Sequence, residues 1–532
     1  MKLMKKNILI ALGLFLAGAG VYGQTSYEAL RLTGGDLNGT ARFVGMGGAM
    51  GSLGGDISTM FTNPAGIGLY RSSDLNLSLS VTTLGSKSKF NGTDKTENKT
   101  TVPLDEVGFV WSNNMEQSSL RYLNFGFAYK RHKGFSKNFT MTGGLSDGNL
   151  VTSQQQQMST MLNGFDQEMT SINSNTIDLG GITSDDYRYP FAQYGSQRYY
   201  VPWLVLLAAD GGLLDNSKGT VRSLPTNCYY HGEEKGGVDE FDMNFAINLN
   251  DQFYFGATVG LYYVDYNRYS YYEESDNNGL IYSLENWYGT DGNGFDIKLG
   301  TVIRPIEDSP FRFGLAVHTP TWYRLTDKNA AYLFSDFTND KTGKHLEMDT
   351  RWSDAYGDDY YTDYRLQTPW VFNASMGYTF GSMAALGLEY EYADYSTSKL
   401  KYDDGDDMSD ANDMISNNFK GVSTFKAGLE LRPVPQFAFR LGFNNMTAAC
   451  SKSSYKTLPL NSVQTDTEYL NALDAQNYTF GLGYTGDNFY LDMAYQYSVR
   501  HGEFYPFDNT DLSATKVTDS RSQLLFTIGT RF

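Results

Sequence analysis

From residue 75 to the C-terminus, apolar side chains alternate with polar or small ones at a period of two, the signature of strands whose two faces meet different surroundings. Leu75, Leu77, Leu79 and Val81 are interleaved with Asn76, Ser78 and Ser80, and Phe437, Phe439, Leu441 and Phe443 with Ala438, Arg440 and Gly442. The pattern predicts fourteen strands, at 75–83, 105–112, 122–132, 239–249, 253–266, 293–303, 311–318, 371–380, 385–392, 422–432, 437–444, 477–484, 488–497 and 522–532. Long connections such as 133–238 and 319–370 follow odd-numbered strands, and short ones such as 250–252 and 381–384 follow even-numbered strands. Segments of about ten residues, even in number, with tight turns at one end and long loops at the other, meet the requirements of an antiparallel transmembrane barrel. A secreted sandwich or propeller also alternates, because one face meets a core. The second face discriminates. Asp242, Asp296, Lys298, Arg312, Glu389, Lys426, Glu430, Arg440 and Asp492 lie in phase opposite to Leu, Phe, Tyr, Ile and Met. That arrangement places charges of both signs, which can pair, along a watery lumen and apolar side chains toward lipid. The expected fold is therefore all-β: a 14-stranded antiparallel transmembrane β-barrel, spanning 75–532 with a long extracellular loop at 133–238.

The residues ahead of the barrel follow other rules. Lys2, Lys5 and Lys6 precede an apolar run from Ile8 to Val21 and a small Gly23, which reads as a signal peptide over 1–23 cleaved after Gly23. The run is shorter than the roughly 20 apolar residues of a spanning helix. No cysteine follows the cleavage point, which argues against a lipid anchor. Residues 24–74 do not alternate and are dense in glycine, suiting a compact hatch folded inside the lumen. Composition agrees with a large barrel: 40 Tyr, 33 Phe and 55 Gly against 13 Pro, in 532 residues. A net charge of −18 excludes a general nucleic-acid binder, which needs clustered Lys and Arg.

The stretch Ala41-Arg42-Phe43-Val44-Gly45-Met46-Gly47-Gly48-Ala49, then Asp56, then Asn63-Pro64-Ala65-Gly66-Ile67, resembles the N-terminal hatch of the FadL/TodX/OmpP1 outer-membrane transporters. Its elements fall in that order just before the first strand, and the family's barrel also has fourteen strands. The family often has paired aspartates where this chain has Gly55-Asp56. A last strand ending in Phe532 resembles the signal by which bacterial outer-membrane barrels are recognised for insertion. The resemblance implies a Gram-negative outer-membrane protein that takes up hydrophobic small molecules passively, long-chain fatty acid-like or aromatic, past a hatch and out through the barrel wall. It implies hatch or gate roles for Gly47, Gly48, Asp56, Asn63, Pro64 and Ala65, and a lateral opening in the third strand at Asn124, Phe125, Gly126 and Phe127. Asn63 would lock the hatch to the wall through its donor and acceptor groups, with Pro64 holding the preceding backbone extended. The expected partners are a hydrophobic ligand and outer-membrane lipid, with the chain a monomer.

Other chemistry has little footing. G-x-S-x-G, P-loop, H-E-x-x-H and C-x-x-C motifs are absent, and the five histidines are scattered, so the chain is expected not to be an enzyme and to need no cofactor or metal. A non-selective porin or structural barrel is the alternative, and an outer-membrane lipase or protease a weaker one. Cys228 and Cys450 could form one disulfide or stay as thiols. Within 133–238, Pro202-Trp203-Leu204-Val205-Leu206-Leu207-Ala208-Ala209 is the most apolar run outside the leader. Such a run in a loop needs a cover: Trp203, Leu204, Leu206 and Leu207 either capture ligand at the outer surface or pack beneath a cap.

Overall fold

Alternating strands keep one face in each of two environments only if the sheet has no free edge, because an open edge leaves backbone N–H and C=O groups unpaired. Closure supplies that condition. In the computed structural model, which describes residues 24–115, 119–145, 152–173, 191–194, 197–200, 202–214, 221–306, 309–338, 342–350, 360–459, 462–508 and 511–532, the sheet rolls into a barrel of fourteen staves. The staves are β1 (Asp74–Phe90), β2 (Leu104–Asn114), β3 (Leu120–Gly134), β4 (Asn227–Leu249), β5 (Phe253–Asp276), β6 (Gly279–Ile303), β7 (Phe311–His318), β8 (Val371–Phe380), β9 (Ala384–Asp394), β10 (Gly421–Val434), β11 (Phe437–Met446), β12 (Tyr469–Thr485), β13 (Phe489–Tyr505) and β14 (Thr515–Arg531). Each pairs antiparallel with the next. β14 pairs back onto β1 from Asp74↔Arg531 to Lys89↔Lys516, which removes the last edge. The leader expected at 1–23 lies outside the described residues.

All fourteen expected strands are present, and two, 311–318 and 371–380, have the expected bounds. Several run further than their apolar segments. β4 begins at Asn227 rather than 239, and β5 and β6 continue to a turn at 277–278 in place of the expected long loop. The outward phase explains the difference. On β5 it reads Phe253, Phe255, Val259, Leu261 and Tyr263, then turns to Asp265 and Asn267 while pairing continues unbroken. Apolar alternation marks the band suited to hydrocarbon; the hydrogen-bonded ladder is free to extend beyond it. The 133–238 segment is likewise not a single loop. Lys137–Gly144 pairs with β4, and two helices lie between.

The helices are α1 (Ser26–Leu32), α2 (Ala41–Gly45), α3 (Gln154–Asn173), α4 (Trp203–Asp210) and α5 (Ser409–Asn418). No helix among the described residues is long and apolar enough to cross a membrane. Outward side chains such as Leu75, Phe255, Leu315 and Ile528 are exposed, while their inward neighbours Asn76, Ser78, Thr258 and Thr527 are buried. The interior is therefore packed. Apart from Arg312, the charges expected along a watery lumen are buried and paired with one another: Lys426 Nζ lies 2.9 Å from both Glu389 and Glu391, and Arg440 bridges Glu430 and Asp492 at 2.7 and 2.5 Å.

Above the apolar band α3 and α4 form a cap. A helix apolar on all sides must be buried on all sides, and α4 is: Trp203, Leu204, Leu206 and Leu207 are at most 2% exposed, packed with Phe90, Met141, Met158, Phe504 and Phe507. These four residues thus form cap core and present no capture surface at the outside. Cys228 belongs to the same cluster and Cys450 to another, and both are free thiols.

Glu274 on the upper part of β5 ties the cap to the wall, accepting from Gln154 N (2.6 Å), Gln155 Nε2 (2.9 Å) and Tyr272 Oη (3.0 Å). Burial pushes its carboxyl up from the ordinary 4.5 to about 7, outweighing those hydrogen bonds. With the folded value raised, its contribution is full below about pH 4.5 and is lost as pH rises through about 7. The cap should therefore resist limited proteolysis better near pH 5 than near pH 8, and Glu274→Gln should flatten that profile. An unaltered profile in the variant would exclude Glu274 as the titrating group.

Candidate functional site

Residues 24–72 follow α1 and α2 with two short 3-10 turns, Ile57–Phe61 and Pro64–Leu69, all held within the barrel. Each turn starts from a cap that the sequence supplies. Thr25 and Glu28 form a capping box on α1, Thr40 accepts from Phe43 N on α2, Asp56 accepts from Ser58 N, and Asn63 accepts from Ala65 N with Pro64 at the first position. Such short helices are marginal alone; the surrounding wall holds them.

That wall grips the segment from many sides. Ala41 N donates to Thr527 Oγ1 on β14 at 2.7 Å, Gly51 N to Glu389 on β9 at 2.9 Å, and Ser58 Oγ to Glu106 on β2 at 2.5 Å. Arg312 on β7 donates to Leu53 O at 2.7 Å, and Arg42 reaches Gly55 O at 2.7 Å and Glu430 on β10 at 3.1 Å. Asp56 accepts from the Thr40 hydroxyl at 2.8 and 2.9 Å, and burial raises its carboxyl above the ordinary value.

Glycine permits the closest approaches. A Cβ on Gly387 would stand 2.1 Å from Ala49 O, on Gly428 2.3 Å from Met46 O, on Gly442 2.2 Å from Gly47 N, and on Gly256 2.3 Å from the Pro64 carbonyl carbon. These inward glycines lie in alternating phase on β9, β10, β11 and β5 and form the seat of the segment. In the segment itself Gly47 and Gly48 have φ of 63° and 80°, which lets the chain reverse after α2 against β11. Gly55, where the family often has an acid, has φ of 64° and nothing within 4 Å of an added Cβ, so its constraint is backbone conformation.

Asn63 is fully buried against β6 and β7. Its Nδ2 donates to Gly51 O at 2.9 Å and Thr301 O at 3.2 Å, and its side chain occupies the space left by Gly300 and Gly314. Pro64 and Ala65 lie against β4 and β5, where Asn244 Nδ2 donates to Pro64 O at 3.3 Å. Gly47, Gly48, Asp56, Asn63, Pro64 and Ala65 are thus brought into one packed layer. The wall groups that grip the segment, Glu389, Glu106, Arg312 and the glycine seat, carry no motif of their own; their only signal in the sequence is the inward phase of polar and small residues.

The expected opening at Asn124–Phe127 is closed. These residues pair with Ser112 to Phe109 on β2 and with Ala246 to Met243 on β4, with no register shift between them. Asn124 turns inward and donates to Ile67 O at 2.7 Å and Tyr70 O at 3.1 Å, Phe125 and Phe127 face outward, and Met60 fills the space inside Gly126. The ladder does stop higher up. β2–β3 pairing ends at Glu106↔Lys130, and β1 skips from Leu79↔Leu104 to Thr82↔Thr101 around Pro103. Proline has no N–H to continue a ladder. On the other side of β3 the register slips between Arg131 and Lys133. A cavity of about 630 Å³ lies behind this break, bounded inside by Tyr27, Leu30 and Arg31 of α1 and reaching Val102, Pro103 and Arg131 in the wall. Val102 is 72% exposed, and Tyr263, on the outward phase of β5, also lines the cavity. Asp36 stands at its floor against Arg500 (2.5 Å) and Arg521 (3.1 Å). Burial would raise its carboxyl, but these guanidiniums hold it well below the usual carboxylate range.

Among the described residues no group of three or more His, Cys, Asp or Glu could hold a metal ion. No family model and no curated protein matches the sequence. Solved structures do. A FadL homologue of Pseudomonas aeruginosa aligns with 12% identity over 94% of this chain and 99% of its own, at a TM-score of 0.51. A deletion mutant of the TodX monoaromatic hydrocarbon channel aligns with 12% identity over 93% and 100%, at 0.52. At that identity the likeness concerns architecture: this chain has the fourteen-stranded fold of the FadL homologue.

Proposed function

We propose that this chain is an outer-membrane transporter of the FadL/TodX/OmpP1 kind, taking up hydrophobic small molecules passively past a hatch formed by residues 24–74. What supports the reading is an N-terminal segment packed inside the barrel, together with a cavity lined by α1 on one side and by Val102 and Pro103 of the wall on the other, where β2–β3 pairing has ended. A long apolar solute in an open watery bore stays hydrated at a cost of about 0.8 kcal/mol per methylene, whereas a sideways mouth hands it to lipid. The lateral exit therefore lies between the head of β2 and Arg131–Gly134, above the Asn124–Phe127 wall. A filled bore also disfavours the porin alternative.

The test is reconstitution of the full-length exported protein. Planar bilayers should show little steady conductance, and vesicles should take up a radiolabelled long-chain fatty acid or toluene faster than protein-free vesicles. High ohmic conductance with no such uptake would return the porin reading. Asn63→Ala removes hydrogen bonds worth about 1 kcal/mol each and should reduce uptake while the barrel still folds. Undiminished uptake would remove Asn63 from the gate.

A further inference from the structure

The start of α1 is short of a positive charge. Glu28 and Asp327 are 1% and 0% exposed, and among the described residues no Lys, Arg or His nitrogen comes within 4 Å of either carboxylate. Glu28 Oε2 accepts from Thr25 N (2.6 Å) and Thr25 Oγ1 (2.5 Å), but its Oε1 is buried with no hydrogen-bond partner. Asp327 Oδ1 accepts from the Thr290 and Tyr364 hydroxyls at 2.7 and 3.1 Å, and Oδ2 only from Gln24 Nε2 at 3.3 Å. The guanidinium nearby, Arg31, stacks on Tyr266 and Tyr288 at 4.5 and 5.0 Å and, among the described residues, forms no ion pair. Burial, then the neighbouring Glu28, pushes the Asp327 carboxyl up to about 7, as expected where two acids lie close together and the nearby cation pairs with neither.

Gln24, itself 3% exposed, reaches Asp327 through its side chain. Its α-nitrogen is one residue from the amide that Glu28 already holds. In the intact precursor that nitrogen is a neutral peptide N–H. Hydrolysis of the Gly23–Gln24 bond by a leader peptidase adds water across it: Gly23 departs with a carboxylate, and the amine left on Gln24 takes up a proton. We propose that this new α-ammonium is the missing counter-charge for Glu28 and Asp327, so that removal of the leader completes the seat of α1 inside the barrel. A buried carboxylate is stable only when compensated, and cleavage after Gly23 supplies the charge at this end of the chain. The inference rests on the leader reading of residues 1–23 and not on the identity of any cargo.

The full-length chain, exported by a Gram-negative host and purified from its outer membrane in detergent, allows three measurements. Intact mass and N-terminal sequencing should find a chain beginning at Gln24 with a free amine; another start, or a mass one ammonia lower from cyclisation of Gln24, overturns the proposal. An amine-acylating reagent should leave the α-amine unmodified in folded protein and modify it once unfolded; equal labelling in both states overturns it. A Gly-Ser insertion between Gly23 and Gln24, which moves the ammonium away, should lower the unfolding temperature. That loss should shrink in a Glu28→Gln/Asp327→Asn background. An equal loss in both backgrounds overturns the proposal, and if the insertion does not fold, the labelling of the unaltered protein still decides.

Discussion

Gly428→Ala combined with Gly442→Ala is expected to turn a quiet barrel into a conducting one. Each added Cβ would meet backbone of the turn after α2, 2.3 Å from Met46 O and 2.2 Å from Gly47 N. The wall cannot yield at these points, since Gly428 is laddered to both Gly387 and Gly442. The segment must move instead, at an overpacking cost of about 1–3 kcal/mol per site. Alanine on the inner face leaves the ladder and the outward residues untouched, so the variant should still insert and migrate as a folded barrel. Planar-bilayer recording is the measurement, with Gly144→Ala, whose nearest new neighbour would be 3.7 Å away, as the control. Conductance unchanged in the double variant would mean that the inward glycines do not seat the segment.

The second large effect concerns the wall. Lys298 on β6 is 2% exposed and stands 2.8 Å from Glu240, 3.1 Å from Asp242 and 3.0 Å from Asp296. Glu240 has further cationic partners in Lys130 at 3.3 Å and His132 at 2.8 Å, but among the described residues Lys298 is the cation that pairs with Asp242 and Asp296, the latter also accepting from Tyr262 Oη at 2.9 Å. Lys298→Met keeps the stem and removes the charge, leaving buried carboxylates uncompensated, and should cost about 3–5 kcal/mol. Urea unfolding of the barrel refolded into lipid vesicles reads this directly. Adding Asp242→Asn and Asp296→Asn to Lys298→Met should recover much of the loss. Unfolding of Lys298→Met at the same urea concentration as the parent would show that the cluster contributes nothing to stability.

The break in the wall shows how sequence and structure divide the work. The resemblance implied an opening at Asn124–Phe127, yet Met60 packs inside Gly126 and the ladder runs through it. Pro103, which does interrupt the ladder, sits between predicted strands, where a proline is unremarkable by pattern. Its effect appears only once β1, β2 and the 93–101 strand are set side by side. The apolar run at Trp203 offered two readings that composition could not separate, and contact with Phe504 and Phe507, some three hundred residues away, decided for the cap.

The alternation along the chain was sufficient by itself to determine the fourteen strands and their outward faces, because a period of two is a local property that survives whatever lies opposite; the charges on the second face separated a barrel from a sandwich. It also marked residues 24–74 as something other than wall. Only the tertiary structure decided that the inward charges pair within a packed interior and not along a watery lumen, that wall glycines meet the N-terminal segment, and that a cavity reaches Val102 and Pro103 in the wall. Those facts depend on which residues distant in sequence become neighbours across the bore, and no periodicity within one strand carries that information.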